Sequence, residues 1–368
     1  MLIYLDNAAT TKPILGDLVQ KHVESGWYNP SAAYAPAARV FADMKKTREK
    51  LVDIVGIDGK VLFTSGGTEA NNTAIMSAFK RDAHYITSAV EHPSVYAAFK
   101  HLETMGANVD YVKPRDFCVN ADDVAALVRE NTAMVSIMHV NNETGAVNDV
   151  RKIASAVKAK NARTLIHCDG VQALRKLDIG LLGSEVDYYS VSAHKINALK
   201  GVGALIVRKG KALRALHHGG EQEETLRPGT ENTLGVQSFY SALIRESVGT
   251  AKIEQLRDQL TKGLSKIEGA IVNTPKVSVP HIVSVSIEGV RAEVLVRLLG
   301  EKGIYIGTGA ACSKGKISRV ILKSGVAREL AEGTVRISMG ERSTGNEIAV
   351  CLSELEIAVE QLRRFNRK

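Results

Sequence analysis

Residues 60–112 read KVLFTSGGTEANNTAIMSAFKRDAHYITSAVEHPSVYAAFKHLETMGANVDYV. Three short apolar runs, at 60–64, 84–88 and 108–112, are bounded by Gly, Ser and Asn and predict strands. Between them, residues 69–80 and 94–105 are amphipathic and long enough for helices. A strand that alternates with a helix needs a crossover, and repeated crossovers give a mostly parallel sheet with helices on both faces. The pattern continues with strands predicted at 133–138, 165–168, 186–191 and 203–207 and helices at 121–129 and 150–160. These strands are nearly continuous in apolar residues, as burial on both faces requires.

The texture changes past about residue 245. Helical segments at 253–268, 293–302 and 347–364 alternate irregularly with short strands at 283–287, 305–306 and 335–338, which predicts a smaller α+β domain. Residues 219–233, GGEQEETLRPGTENT, are polar and glycine-rich, and too long for a simple turn; they predict a functional or interface loop.

Composition narrows the classes. The 368 residues carry 48 Lys+Arg and 40 Asp+Glu, a formal net charge of +8, with 45% apolar and 24% charged residues. That balance fits a folded globular protein and excludes disorder. No fixed-period repeat is present, and the longest apolar runs, such as residues 202–207, fall far short of the ~20 needed to span a bilayer. The opening residues show no basic stretch followed by a long apolar one, so a cytoplasmic location is expected. Cys118, Cys168, Cys312 and Cys351 form no C-x-x-C pair, and no His/Cys cluster has zinc spacing, so neither a disulfide framework nor a metal is expected. The basic excess has no aromatic-interleaved stripe, which speaks against DNA.

In open α/β sheets ligands bind beyond the carboxyl ends of the strands. Residues 64–69, TSGGTE, follow one strand and open a helix, a turn suited to cradling an anion. His92 follows a second strand and offers a flat ring for stacking. Asn142 closes a third, Asp169 ends a fourth, and Gln172 comes three residues later, where a helical turn would place it on the same side. Lys195 follows a fifth, beside His194, a cationic or desolvating neighbour that would depress an amine's pKa. Singly, each has an ordinary reading: a surface ammonium, a cap, a loop amide, a packed histidine. Together an anion cradle, a stacking ring, a carboxylate and an amine make the set that pyridoxal 5'-phosphate requires.

The chain resembles the cysteine desulfurases, NifS/IscS-like members of the fold-type-I, class V aminotransferase enzymes. The matching segments run almost end to end: YLDNAATT at 4–11, NPS at 29–31, FTSGGTEANN at 63–72, EH at 91–92, MHVNNETG at 138–145, HCDGVQ at 167–172, SAHK at 192–195, KGVGAL at 200–205, RPGT at 227–230, GAACS at 309–313 and VRISMG at 335–340. The resemblance implies a large cofactor-binding domain at 16–245 and a small domain from 1–15 and 246–368. Lys195 would form the Schiff base with the cofactor and serve as acid and base; His92 would stack on the ring; Asp169 would pair with the ring nitrogen. Asn142 and Gln172 would bond the phenolic oxygen side, and Gly67, Thr68, Ser192 and His194 would hold the phosphate. Thr230 would reach the phosphate of the neighbouring subunit of a homodimer. Arg336 would bind the substrate α-carboxylate, and Cys312, among small and basic residues that favour a thiolate, would take sulfur from L-cysteine as a persulfide. That sulfur would serve iron–sulfur cluster assembly, a thio-cofactor or tRNA thiolation.

Departures from the family pattern fall at Tyr34, Gly170, Ala198-Leu199 and Glu341, and at Lys314 and Lys316 after the cysteine. The alternatives are a selenocysteine lyase, another class V lyase or aminotransferase, or a catalytically inactive sulfur-transfer scaffold. Basic residues at 314–323 and 360–368 suggest an acidic sulfur-acceptor or scaffold partner.

Overall fold

The computed structural model describes residues 2–246, 249–309 and 317–366. The chain opens on β1 (Ile3–Tyr4) and then runs through β2 (Gly59–Thr64), β3 (His84–Ser88), β4 (Asn108–Val112), β5 (Thr132–Ser136), β6 (Leu165–Asp169), β7 (Tyr188–Ser192) and β8 (Gly203–Arg208). β2 to β8 form one seven-stranded sheet in the order β2-β8-β7-β6-β5-β3-β4. Every neighbouring pair is parallel except those of β8, which runs against both β2 and β7. The chain winds outward from β3 to β4 and back through β5, β6 and β7. The strand order therefore reverses between β3 and β5, where a doubly wound sheet opens its ligand crevice.

Side chains alternate across a strand, and here both faces are buried. Ile86, Val135, Ile166 and Ile206 enter one apolar cluster, while their chain neighbours Tyr85, Met134 and Leu205 enter another. The helix Ala35–Val55 covers the first face with Met44, Leu51 and Val55 and packs on the helix Thr233–Ile244. The sequence pattern predicts neither helix. The first lies ahead of the strand–helix alternation, and the second begins inside the polar loop, where Asn232 Oδ1 caps the Gly235 amide at 2.9 Å. The segment after Asp169 also differs from expectation: residues 171–176 form turns rather than a helical start.

The second core is built on β9 (Ala270–Val272), β10 (Ile282–Ile287), β11 (Ile304–Tyr305), β12 (Gly307–Thr308) and β13 (Thr334–Ser338). Four of these make an antiparallel sheet, β12-β13-β10-β9, and β11 pairs in parallel with β1. Ile3 and Leu5 pack in this core with Val285, Leu295, Ile337 and Leu355, so the first residues of the chain associate with its last hundred. Among the described residues, no helix is long and apolar enough to cross a membrane and no His/Cys/Asp/Glu group could hold a metal ion.

Candidate active site

A cavity of about 320 Å³ opens at the carboxyl edge of the large sheet, closed on one side by the loop after β1 and by β13. Gly67, Thr68, His92, Asn142, Asp169, Gln172, Ser192, His194, Lys195 and Arg336 all line it. Gly67 and Thr68 are the first residues of the helix Gly67–Ser77, whose amide ends carry positive potential toward the cavity. That helix can start so close to the sheet because position 203 is glycine: a Cβ there would lie 2.7 Å from Gly66 Cα.

Asp169 is the last residue of β6 and is buried. Its Oδ2 accepts from Asn71 Nδ2 at 2.8 Å and its Oδ1 from the Val171 amide at 3.0 Å. A buried carboxylate is tolerated only when bonded in this way. Lys195 closes a short 3₁₀ turn after β7, and its Nζ donates to the carbonyl oxygens of Ala8 at 2.6 Å and Ala9 at 2.7 Å. Gln172 Nε2 donates to the same Ala8 carbonyl at 2.9 Å. Ala8 is held in turn by the hydrogen bond that its backbone N–H donates to Ser338 Oγ at 2.9 Å.

His92 is the N-cap of the helix Pro93–Thr104; its Nδ1 accepts from the Ser94 amide at 3.1 Å. Burial lowers its pKa, with Lys195, Arg319 and Arg336 acting in the same direction against the opposing charge of Asp169. His194 lies 3.1 Å through Nδ1 from Thr10 Oγ1, and burial lowers it to about 4. It is thus neutral at pH 7, so of the cationic and desolvating readings of this neighbour of Lys195 the desolvating one remains. Arg336, 1% exposed, donates from Nη1 to the Asn142 carbonyl at 2.8 Å and from Nη2 to Asp6 Oδ1 at 2.7 Å.

Two expected residues are not in this group. Thr230 lines a separate hollow with Ser65, Glu69 and Arg227, on the other side of the glycine turn. Cys312 lies outside the described residues.

Several contributors escape a reading of the sequence alone. Asn71 and Ser94 bond each other at 2.9 Å, reach Asp169 Oδ2 and His92 Nδ1 respectively, and themselves line the cavity. Asn71 stands four residues into the helix from Gly67, and that spacing is the available signal. Glu91, fully buried, has its Oε1 bonded by Ser88 Oγ at 2.6 Å and the Met138 amide at 3.0 Å, and burial raises its pKa to about 8. Glu143 accepts from Ser318 Oγ, and burial raises it to about 7. Arg319 bonds the carbonyls of Ala89 and Glu91 and lies 3.8 Å over the Tyr96 ring. Its charge is spent inside the protein, not offered to a partner. Arg363 likewise bonds the carbonyls of Glu268 and Glu288.

The donor set can be tested against the implied cofactor. Asn71 Oδ1, Asn142 Oδ1 and Arg336 Nε are buried at this cavity with no partner, although buried polar groups are nearly always bonded. An amine, a carboxylate, a histidine ring and a helix N-terminus converge on the same space. The residues present fit pyridoxal 5'-phosphate.

Comparison with known proteins places these features in context. The model of the aminotransferase class-V family matches residues 3–350. The chain is 34% identical over 383 residues to the cysteine desulfurase IscS of Methanosarcina thermophila, covering 99% of this chain and 93% of that one. A solved structure of a NifS-like protein superposes with a TM-score of 0.91 at 35% identity, covering 98% of this chain and 100% of the other. A structure of SspA in complex with cysteine superposes at 0.81 with 30% identity, covering 93% and 100%.

Proposed function

This chain belongs to the class-V aminotransferase family, and from that premise we propose that it is a pyridoxal 5'-phosphate-dependent cysteine desulfurase that converts L-cysteine to L-alanine with a persulfide on Cys312. The observation that carries the reading is the convergence of Lys195 and Asp169, from the ends of adjacent strands, on one cavity with His92 and Arg336. When bound, the cofactor supplies an electrophilic carbon and a ring that accepts electron pairs, which weakens the Cβ–Sγ bond of cysteine.

The chain supplies the rest. Lys195 Nζ would anchor the cofactor and afterwards carry the proton to and from the substrate. Asp169 would keep the ring nitrogen protonated, its own geometry set by Asn71 and the Val171 amide. His92 would cover the ring, Asn142 and Gln172 would bond its phenolic side, and Gly67, Thr68, Ser192 and His194 would hold the phosphate. Arg336 takes the substrate carboxylate through a planar two-point fork. The Cys312 thiolate attacks the substrate sulfur. The Cβ–Sγ bond breaks, its electron pair stays with the three-carbon fragment, and a proton there completes alanine. Cysteine and a thiol thus give alanine and a persulfide with no outside oxidant.

Residues 16–245 would form the large domain and residues 1–15 and 246–368 the small one that carries Cys312. A homodimer is supported by exposed Trp27, Tyr34 and Phe41, which gather large apolar groups on one flank. The groove of about 840 Å³ lined by Phe41 and residues 221–224 continues that flank toward the Thr230 loop. Thr230 of each subunit would then complete the other's phosphate site. An acidic acceptor or scaffold would receive the sulfur for iron–sulfur cluster assembly, a thio-cofactor or tRNA thiolation. Exposed Lys323, and Arg364 with its Glu360 pairing at 3.4 Å, would meet it, since Arg319 and Arg363 bond backbone carbonyls of this chain.

The test is incubation of the cofactor-loaded protein with cysteine and a reductant. Alanine and sulfide in equal amounts are expected. Alanine without sulfide, or neither product, overturns the reading.

A further inference from the structure

Behind the Asp169 carboxylate lies a contact that no step above uses. A Cβ at Gly170 would stand 2.0 Å from Tyr189 Cζ and 2.4 Å from its Oη, so the tyrosine ring fills the space a side chain at 170 would need. Tyr189 is fully buried on β7, paired across the sheet with Cys168 of β6. Its hydroxyl lies 2.9 Å from His139 Nδ1, the two rings edge to face with centroids 6.0 Å apart. His139 donates its backbone N–H to the Asp169 carbonyl at 2.9 Å and accepts from the Asn148 amide at 2.9 Å. It begins the loop that carries Asn142 three residues later. Burial lowers His139 to about 4 and raises Tyr189 well above its usual value, so the bond joins two neutral groups at working pH.

We propose that Tyr189 is a positioning residue for the cofactor: through His139 it ties the end of β6, with Asp169, to the Asn142 loop, and Gly170 makes room for it. The departure at 170 and the ring at 189 are then one coupled change. This rests on the cofactor reading above. A buried neutral hydrogen bond inside a packed core holds its neighbours in one arrangement, and its loss leaves a desolvated partner behind.

The test uses the holoenzyme. Tyr189→Phe keeps the ring and removes the hydroxyl. Cofactor release, followed by loss of its visible absorbance, is expected to quicken about fivefold, the worth of one neutral buried bond. The pH midpoint of that band is expected to shift, a readout that a purely structural role would leave in place. Gly170→Ala alone is expected to lower the Tm; in a Tyr189→Leu background, where the ring tip is gone, it should cost far less. Wild-type release and an unchanged midpoint in Tyr189→Phe overturn the positioning role, and additive Tm losses overturn the steric coupling. Failure of the wild type to take up the cofactor would overturn the underlying reading instead.

Discussion

Arg336 Nη2 lies 2.7 Å from Asp6 Oδ1, and this pair joins the middle of β13 to the loop whose Ala8 and Ala9 carbonyls receive Lys195. The guanidinium is thereby fixed before any substrate arrives, with its Nε still unpartnered. Arg336→Lys would keep the charge and lose the fork. The expected result is a KM for cysteine raised about 10- to 100-fold with a smaller fall in kcat, measured by alanine formation.

Cys312 separates the desulfurase from a lyase on the same scaffold. Cys312→Ala should retain the visible cofactor band and lose sulfide release from cysteine. Turnover of cysteine at the wild-type rate would favour the lyase. Lys195→Ala should lose the band itself, and a band retained there would remove Lys195 from its role.

Asn71 is the side-chain donor to Asp169 Oδ2. Asn71→Ala leaves a buried carboxylate oxygen unbonded, a loss of about 1.5–3 kcal/mol for a bond to a charged group. Cofactor affinity should fall by about one to two orders of magnitude, read by titrating the apoprotein.

Glu91 gives the fold a pH signature. Its folded pKa of about 8 exceeds its ordinary value of 4.5, so between those pH values the folded protein holds a proton that the unfolded chain has released. Stability contributed by this group is present below pH 4.5 and is lost as pH rises toward 8. His139 and His194, both lowered to about 4, act oppositely and add stability as pH rises from about 4 to 6.5. Denaturant unfolding should therefore show falling stability from about pH 6.5 to 8. Glu91→Gln should flatten that limb and, by removing the opposing slope above pH 4.5, steepen the rise on the acid side; an unchanged slope from about pH 6.5 to 8 would refute the assignment.

The large sheet is legible because its short strands carry apolar residues on both faces and alternate with helix-length amphipathic segments, so period and length speak together. Tyr85 and Ile86 of β3 bury opposite faces and leave no polar side to read. The helix Ala35–Val55 escapes that reading although its buried residues keep helical spacing, because no strand precedes it to frame a crossover. At the site, the residues that face the cavity stand at strand ends, where the sheet topology directs attention. Asn71, Ser94 and the Ala8 carbonyl also line the cavity and bond Asp169, His92 and Lys195, and only the folded arrangement brings them together. Gly170 reads as a bare departure from the family pattern, since its partner Tyr189 lies nineteen residues away on another strand.

β1 has a consequence for biosynthesis. Ile3 pairs with Ile304, and Asp6 with Arg336, so the first strand to leave the ribosome finds its neighbours only after some three hundred further residues have been made. At 5–20 residues per second that is a wait of roughly 15–60 s. The doubly wound sheet can assemble during this interval, whereas the Asp6–Arg336 and Ala8–Ser338 contacts that close the cavity form only when translation is nearly finished.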